Sequence, residues 1–94
     1  MYAAVRRYEG VTDAAEAARL VNEGFVPLMQ QVSGFVAYYW IDAGDGVMVS
    51  TSVFQDRAGA EESITKAADF VRDNLAALLP NPPQVVAGEV VASA

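Results

Sequence analysis

Residues 33–42 form a predicted strand that carries large apolar or aromatic side chains on both of its faces. Side chains alternate along a strand. One face would hold Phe35, Ala37, Tyr39 and Ile41, and the other Val36, Tyr38 and Trp40. A domain of 94 residues with room for two helices can cover only one face of a sheet. Whatever covers the second face is therefore the best pointer to function.

The composition is that of one folded domain spanning residues 1–94. Apolar residues make up 53% of the chain and charged residues 19%, and the mean hydropathy is +0.21, which excludes a disordered protein. A domain this small buries only about 60–65% of the surface of its unfolded chain. Burial through self-association would add to this, so we expect a homodimer.

The charge balance excludes several classes of partner. A net charge of −6 and an isoelectric point near 4.3 argue against nucleic acids and anionic membranes, which select basic surfaces. No run of 18 apolar residues could span a bilayer, and residues 1–9 lack the apolar core of a signal peptide. We therefore expect a cytoplasmic protein without a membrane or nucleic-acid partner.

The chain contains no cysteine and no histidine. This excludes disulfides, thiol catalysis, histidine general-base chemistry and the usual zinc and haem ligand sets. We expect neither a metal site nor a cofactor. Aspartate, glutamate, tyrosine, serine, threonine, arginine and the single Lys66 remain as chemical actors.

The first half of the chain predicts a strand over residues 2–9, a helix, and the aromatic strand. Asp13 and Glu16 have the spacing of a capping box, which marks the start of the helix. An apolar stripe at helical spacing follows to Val32, with Gly24 and Pro27 inside it. Because proline removes a helix hydrogen bond, we expect a kink or break near residues 23–26.

The second half predicts a hairpin, a helix and a last strand. Residues 43–46 (Ala-Gly-Asp-Gly) are typical of a hairpin turn, and the strand over 46–55 alternates well. Asp56 is a plausible cap of the second helix, which Pro80 ends. Residues 85–92 form the last strand. The order βαββαβ predicts an α+β, ferredoxin-like fold with a four-stranded antiparallel sheet and both helices on one face.

The more uniformly apolar side of the sheet is expected to face the helices. That set is Phe35, Ala37, Tyr39, Ile41, Val47, Val49, Thr51 and Val53. The mixed set on the other side is Tyr38, Trp40, Asp42, Met48, Ser50, Ser52 and Phe54, joined by Arg6, Tyr8 and Glu89. A bulge or a slip of one residue would invert a strand.

The mixed face would be a large exposed apolar patch on a monomer. Either two sheets pack face to face and these residues are interface core, or the packed sheets enclose a ligand cavity, since aromatics with a few polar groups typify ligand pockets. The candidate ligand-binding residues are Arg6, Tyr38, Trp40, Ser50 and Ser52. Alternatively, Arg6 forms a salt bridge with Glu89 on a neighbouring strand.

Three motifs accompany this element order. They are Ser33-Gly34-Phe35 followed by Tyr38, the Phe-Gln-Asp-Arg sequence at 54–57, and the Gly-Glu-Val sequence at 88–90. With them the whole chain resembles the dimeric α/β-barrel superfamily, in particular its antibiotic biosynthesis monooxygenase-like (ABM) domains. The resemblance implies the fold and a homodimer formed by packing of the two sheets into a barrel.

The activities that the resemblance implies are varied, and include cofactor-independent quinone-forming monooxygenases, haem-degrading enzymes, isomerases, decarboxylases and proteins without known activity. The axial histidine of the haem-binding branches has no counterpart here. Other branches place an asparagine and a tryptophan in the site, with the tryptophan on or near the second helix, whereas Trp40 lies on the second strand. No catalytic residue is therefore carried over.

Two functions follow as hypotheses. One is a cofactor-independent monooxygenase acting on a small phenolic or other aromatic molecule, in which Arg6 stabilises a phenolate, Tyr38 and Trp40 stack on the ring, and Ser50 or Ser52 donates hydrogen bonds. Such chemistry needs neither histidine nor cysteine. The other is a non-catalytic dimeric binding or structural module, which a filled interior would favour.

Overall fold

The computed structural model describes all residues from 1 to 94. The four strands are β1 Tyr2–Tyr8, β2 Phe35–Gly44, β3 Val47–Phe54 and β4 Gln84–Glu89. The α-helices are α1 Ala14–Leu20, α2 Val26–Gln30 and α3 Arg57–Phe70. Two π-helical segments, Val21–Phe25 and Val71–Leu75, continue α1 and α3. None of the helices has the length and hydropathy that crossing a bilayer requires.

The strands form one antiparallel sheet in the order β2-β3-β1-β4. The first and last strands are neighbours, and the β2–β3 hairpin pairs with the other side of β1. This is the ferredoxin-like α+β arrangement that the element order predicted. The hairpin turn has positive φ angles at Gly44, Asp45 and Gly46, which is the backbone conformation that glycine and aspartate were predicted to supply there.

Both predicted helix caps are present. The Asp13 carboxylate accepts a hydrogen bond from the Glu16 amide at 3.1 Å, and the Asp56 carboxylate accepts one from the Gly59 amide at 3.0 Å. Each satisfies a backbone donor that the first helical turn leaves without a partner. These aspartates therefore fix where the two helical stretches start.

The irregularity predicted near residues 23–26 is a π-helical segment rather than a break. The backbone widens over Val21–Phe25 and continues as α2, with Pro27 in the first turn of α2. Gly24 lies in this segment, and a Cβ there would come within 2.8 Å of the Phe70 ring. Glycine thus allows the two helical stretches to approach each other closely.

The predicted assignment of the two sheet faces is wrong. The side chains beneath the helices include Arg6, Met48 and Ser52, which are 2%, 1% and 0% exposed. Tyr39 and Ile41, expected to be core, are 62% and 47% exposed on the open side of the sheet. The mixed set is therefore the helix-facing set, and the uniformly apolar set, apart from Phe35, forms the open face.

A bulge in β2 divides the predicted apolar set. Phe35 pairs with Phe54 but Ala37 pairs with Val53, so Val36 is an extra residue in the ladder. Phe35 consequently lies on the helix side together with Tyr38, whereas strict alternation places the two on different faces. The inversion of the other residues arises because polarity is a poor guide to burial in this sheet: Ser52 is buried with its hydroxyl donating to the Ala4 carbonyl at 3.3 Å.

Candidate functional site

A small cavity lies between the sheet and the helices of a single chain, lined by one cation, three hydroxyls and many apolar groups. The sheet supplies Arg6, Tyr8, Tyr38, Trp40 and Ser50, and the helical stretches supply Val21, Phe25, Ala67, Phe70, Val71 and Leu75. Its free volume is about 10 Å³, close to the minimum that one water requires. Because the faces are inverted relative to the prediction, this cavity is not the space between two sheets.

Four of the five predicted ligand-binding residues meet in this cavity. The cavity lining includes Arg6, Tyr38, Trp40 and Ser50. Ser52 is buried outside this lining, and its hydroxyl donates a hydrogen bond to the backbone of β1. The strand register explains the convergence, because Arg6 pairs with Ser50 and Ser50 pairs with Trp40 across three adjacent strands.

Arg6 is the only charged side chain in the cavity lining. Its two terminal nitrogens are buried and have no hydrogen-bond partner. The predicted alternative, a salt bridge with Glu89, is wrong because Arg6 lies opposite Val85 and Glu89 lies opposite Tyr2. Burial lowers the pKa of the guanidinium, partly offset by Tyr8 and Tyr38. An unpaired buried cation is costly, and it is suited to receive an anion.

The aromatic residues surround this cation with rings and hydroxyls. The Tyr8 and Trp40 ring centroids are 5.6 Å apart, and Phe25 meets Tyr38 edge-on at 5.3 Å. Burial raises the pKa of Tyr38 and of Tyr8, against the smaller opposing effect of the Arg6 charge on each. Both phenols stay protonated at neutral pH and can donate hydrogen bonds. The buried indole nitrogen of Trp40 is a further donor without a partner.

The helical half of the lining was not identified as a site from the sequence. Val21 and Phe25 come from the first π-helical segment, and Val71 and Leu75 from the second. All four belong to the apolar stripes of the predicted helices, and the sequence pattern of such a stripe is the same whether its side chains line a cavity or fill a core. Paired π-helical segments are frequent at functional sites, but nothing in the residue pattern announces them.

A second, open depression adjoins the cavity. This groove lies between α3 and the β1–β4 edge, and its free volume is about 270 Å³. Its lining residues are Arg6, Tyr8, Ile64, Ala68, Val71, Arg72, Pro83 and Val85. Neither depression contains a carboxylate, and no cluster of three or more acidic side chains suited to a metal ion occurs in the chain.

Comparison with solved structures finds this fold in several bacterial proteins. A protein of unknown function from Nitrosomonas europaea is 25% identical, with a TM-score of 0.83 over 99% of this chain and 91% of that one. A monooxygenase from Streptomyces coelicolor, solved with nanaomycin D, is 21% identical, with a TM-score of 0.71 over 98% and 92%. A cofactor-independent oxygenase from Streptomyces nogalater is 16% identical, with a TM-score of 0.73 over 98% and 94%.

No protein-family model and no curated protein sequence matches the chain. The structural neighbours nevertheless cover nearly its whole length and include antibiotic biosynthesis monooxygenases. The chain has the ABM-like fold, as the sequence motifs predicted.

Proposed function

We propose that this protein is a cofactor-independent monooxygenase that acts on a small phenolic or similarly acidic aromatic molecule bound at Arg6. The observation that carries the proposal is the buried guanidinium, whose two terminal nitrogens lack partners in a cavity without any acid. A substrate that ionises to a phenolate would supply the missing countercharge. Its oxyanion would meet the hydroxyl of Tyr38 and the indole N–H of Trp40 beside the guanidinium.

The chemistry requires only the substrate and molecular oxygen. In an anthrone-type substrate the ring CH₂ loses a proton, and the resulting carbanion, in resonance with a phenolate-like oxyanion, reduces O₂ and forms a C–O bond. Protonation of the outer oxygen gives a hydroperoxide, whose O–O bond breaks as the remaining C–H proton leaves, yielding a carbonyl and one water. Overall, CH₂ and O₂ become C=O and H₂O. The protein has to desolvate, orient and ionise the substrate.

Arg6 would promote ionisation by lowering the pKa of the substrate, since an adjacent opposite charge favours the charged form. Tyr8 and Tyr38 are not bases in this scheme, because burial raises the pKa of both phenols. They would instead donate hydrogen bonds to the oxyanion, together with the free indole N–H of Trp40. The pH dependence of turnover should therefore follow the acidity of the substrate chosen.

Oxygen consumption with a panel of anthrones and hydroquinones tests the proposal. We expect one O₂ consumed per carbonyl formed from an anthrone, and losses of at least about tenfold in kcat/KM for Arg6→Ala and Trp40→Ala. Arg57→Ala removes an exposed, ion-paired arginine and is the matched control. Turnover that is unaffected by both cavity variants would remove this site assignment.

A homodimer assembled through the open sheet face belongs to the same proposal. The open face is largely apolar and includes Tyr39, Ile41 and Val86, which are 62%, 47% and 71% exposed. Arg7 is the only charged strand residue of this face and is ion-paired with Glu9, so little of the net charge of −6 lies where two copies would meet. Patches of this kind mark interaction surfaces. A clean 10 kDa monomer in sedimentation analysis at micromolar concentration would rule it out.

The second candidate function is a non-catalytic dimeric module. It is favoured by the small volume of the aromatic cavity, which side chains nearly fill. A module of this kind would bind none of the aromatic acids and consume no oxygen with any substrate of the panel. Equilibrium binding of a panel member, measured separately from oxygen uptake, distinguishes a silent binding protein from an enzyme.

A further inference from the structure

We propose that the groove between α3 and β4 binds the apolar body of a monocarboxylate, whose carboxylate contacts Arg6 at the inner end of the groove. This rests on the proposed function in one respect, namely that Arg6 receives an anionic oxygen. It adds where the rest of the molecule lies and which acidic group it carries.

Volume decides between the two depressions. The aromatic cavity has about 10 Å³ of free space, whereas the groove has about 270 Å³. Pockets for drug-sized ligands start at about 300 Å³, so the groove suits a body of one or two fused rings.

Arg6 connects the groove to the cavity. Together with Tyr8 and Val71 it lines both depressions. Since Arg6 is 2% exposed, a ligand can reach its unpartnered nitrogens only from one of these spaces, and only the groove has room for the body of a ligand. The charged end of a ligand would therefore lie at the innermost point of the groove.

The charges favour a single negative charge. Arg72 also lines the groove, but it is paired with Asp69 and Asp73, so Arg6 is the one cation of the groove lining without a counterion. A dianion such as a phosphate monoester would bring one charge too many into a site with low solvent access. Two free terminal nitrogens match the two oxygens of a carboxylate in bidentate geometry.

The walls of the groove favour an apolar body. Ile64, Ala68, Val71, Pro83 and Val85 offer no side-chain hydrogen-bond donor or acceptor. Polar substituents on the part of the molecule that they contact would lose their water without gaining a partner. The combination of one buried cation and an apolar trough selects an amphipathic acid.

Isothermal titration with 2-naphthoate, using its neutral isostere 2-naphthamide for comparison, tests this assignment. We expect 2-naphthoate to bind at least about tenfold more tightly than the amide. Ala68→Trp places an indole in the groove from an exposed position and should weaken 2-naphthoate binding at least about tenfold. Ala58→Trp, at an exposed position near the other end of α3, is the control and should bind like the unaltered protein.

Equal affinity for the acid and the amide, absence of binding, or tight binding by Ala68→Trp would overturn the groove assignment. If Ala68→Trp does not fold, Val85→Trp on the facing wall, where the residue is 46% exposed, replaces it. Failure of the proposed function is separate: 2-naphthoate binding that responds to these variants would stand even if no substrate consumed oxygen. Conversely, oxygen consumption that does not respond to Ala68→Trp would support the proposed oxygenase function and contradict binding of the substrate in the groove.

Discussion

Arg6 combines nearly complete burial with the lack of any partner for its terminal nitrogens. Charged side chains are rarely buried unless they are paired, because the loss of hydration outweighs what packing returns. Tyr8, Tyr38 and Trp40 surround the guanidinium with donors and rings, none of which neutralises it. At the scale of single residues, the buried guanidinium is therefore a costly group, and a bound anion would offset its charge.

Replacing Arg6 by methionine should stabilise the protein while removing its site. We expect the free energy of unfolding to rise by about 1–4 kcal/mol, the range seen when buried charged groups give way to apolar ones of similar volume. Chemical denaturation measures the change. Arg57→Met alters net charge equally at an exposed position and should change stability by less than about 0.5 kcal/mol. A less stable Arg6→Met protein would show that the guanidinium is satisfied after all.

Tyr38 should make the protein lose stability at high pH. Burial raises its pKa above the ordinary 10.0, so the unfolded chain releases this proton first and stability falls as pH rises above about 10. In Tyr38→Phe the free energy of unfolding, measured in denaturant between about pH 9 and 11, should decline less steeply. A Tyr38→Phe protein whose stability declines as steeply as that of the unaltered protein would contradict this assignment.

At the scale of elements, the helix starts were predictable from the sequence, because they depend on local chemistry. Which face of the sheet the helices cover was not predictable. Asp13 and Asp56 cap their helices as predicted, because a cap depends on a few neighbouring residues. The faces depend on the extra residue Val36 in β2 and on buried hydroxyls such as that of Ser52, which no alternation pattern reveals. Most of the candidate residues still meet in one cavity, because residues that share a face stay neighbours whichever side of the sheet that face is on.

The contact between Gly24 and Phe70 should be sensitive to a single methyl group. A Cβ at Gly24 would lie 2.8 and 2.9 Å from two Phe70 ring atoms, so Gly24→Ala should cost about 1–3 kcal/mol of stability through overpacking. Thermal or denaturant unfolding measures it. Gly88→Ala is the control, because a Cβ there meets nothing within 4 Å. A neutral Gly24→Ala would mean that the two helical stretches can separate at little cost.

At the scale of the whole molecule, the sheet separates the candidate site from the proposed dimer contact. The helix-covered side holds the cavity and the groove, and the open side is largely apolar, with Arg7 as its one charged strand residue. The residue pattern predicts the dimer contact and the cavity on the same face of the sheet, because the sequence does not show which face the helices cover. In the structure the cavity lies on the helix-covered face. Because the cavity and the proposed dimer contact lie on opposite faces, a substitution in one of them should not change the other.

Thr51 lies on a central strand of the open face, opposite Val5 and Tyr39, and tests the proposed dimer. Thr51→Arg would place two cations against each other across a two-fold axis, so we expect at least about a hundredfold weaker association in sedimentation equilibrium. Thr65→Arg adds the same charge at an exposed position of α3 and should associate normally. Unchanged association of Thr51→Arg would place the dimer contact elsewhere.

The proposed acid site at Arg6 would also make the melting temperature of the protein depend on the compounds dissolved with it. A compound at 100 times its dissociation constant adds about 2.7 kcal/mol to the stability of the folded state by mass action. In a domain of this length that corresponds to a rise in melting temperature of about 10–20 °C. Melting curves recorded against fractions of a cell extract would thus identify fractions that contain a binding compound without an assay of any reaction.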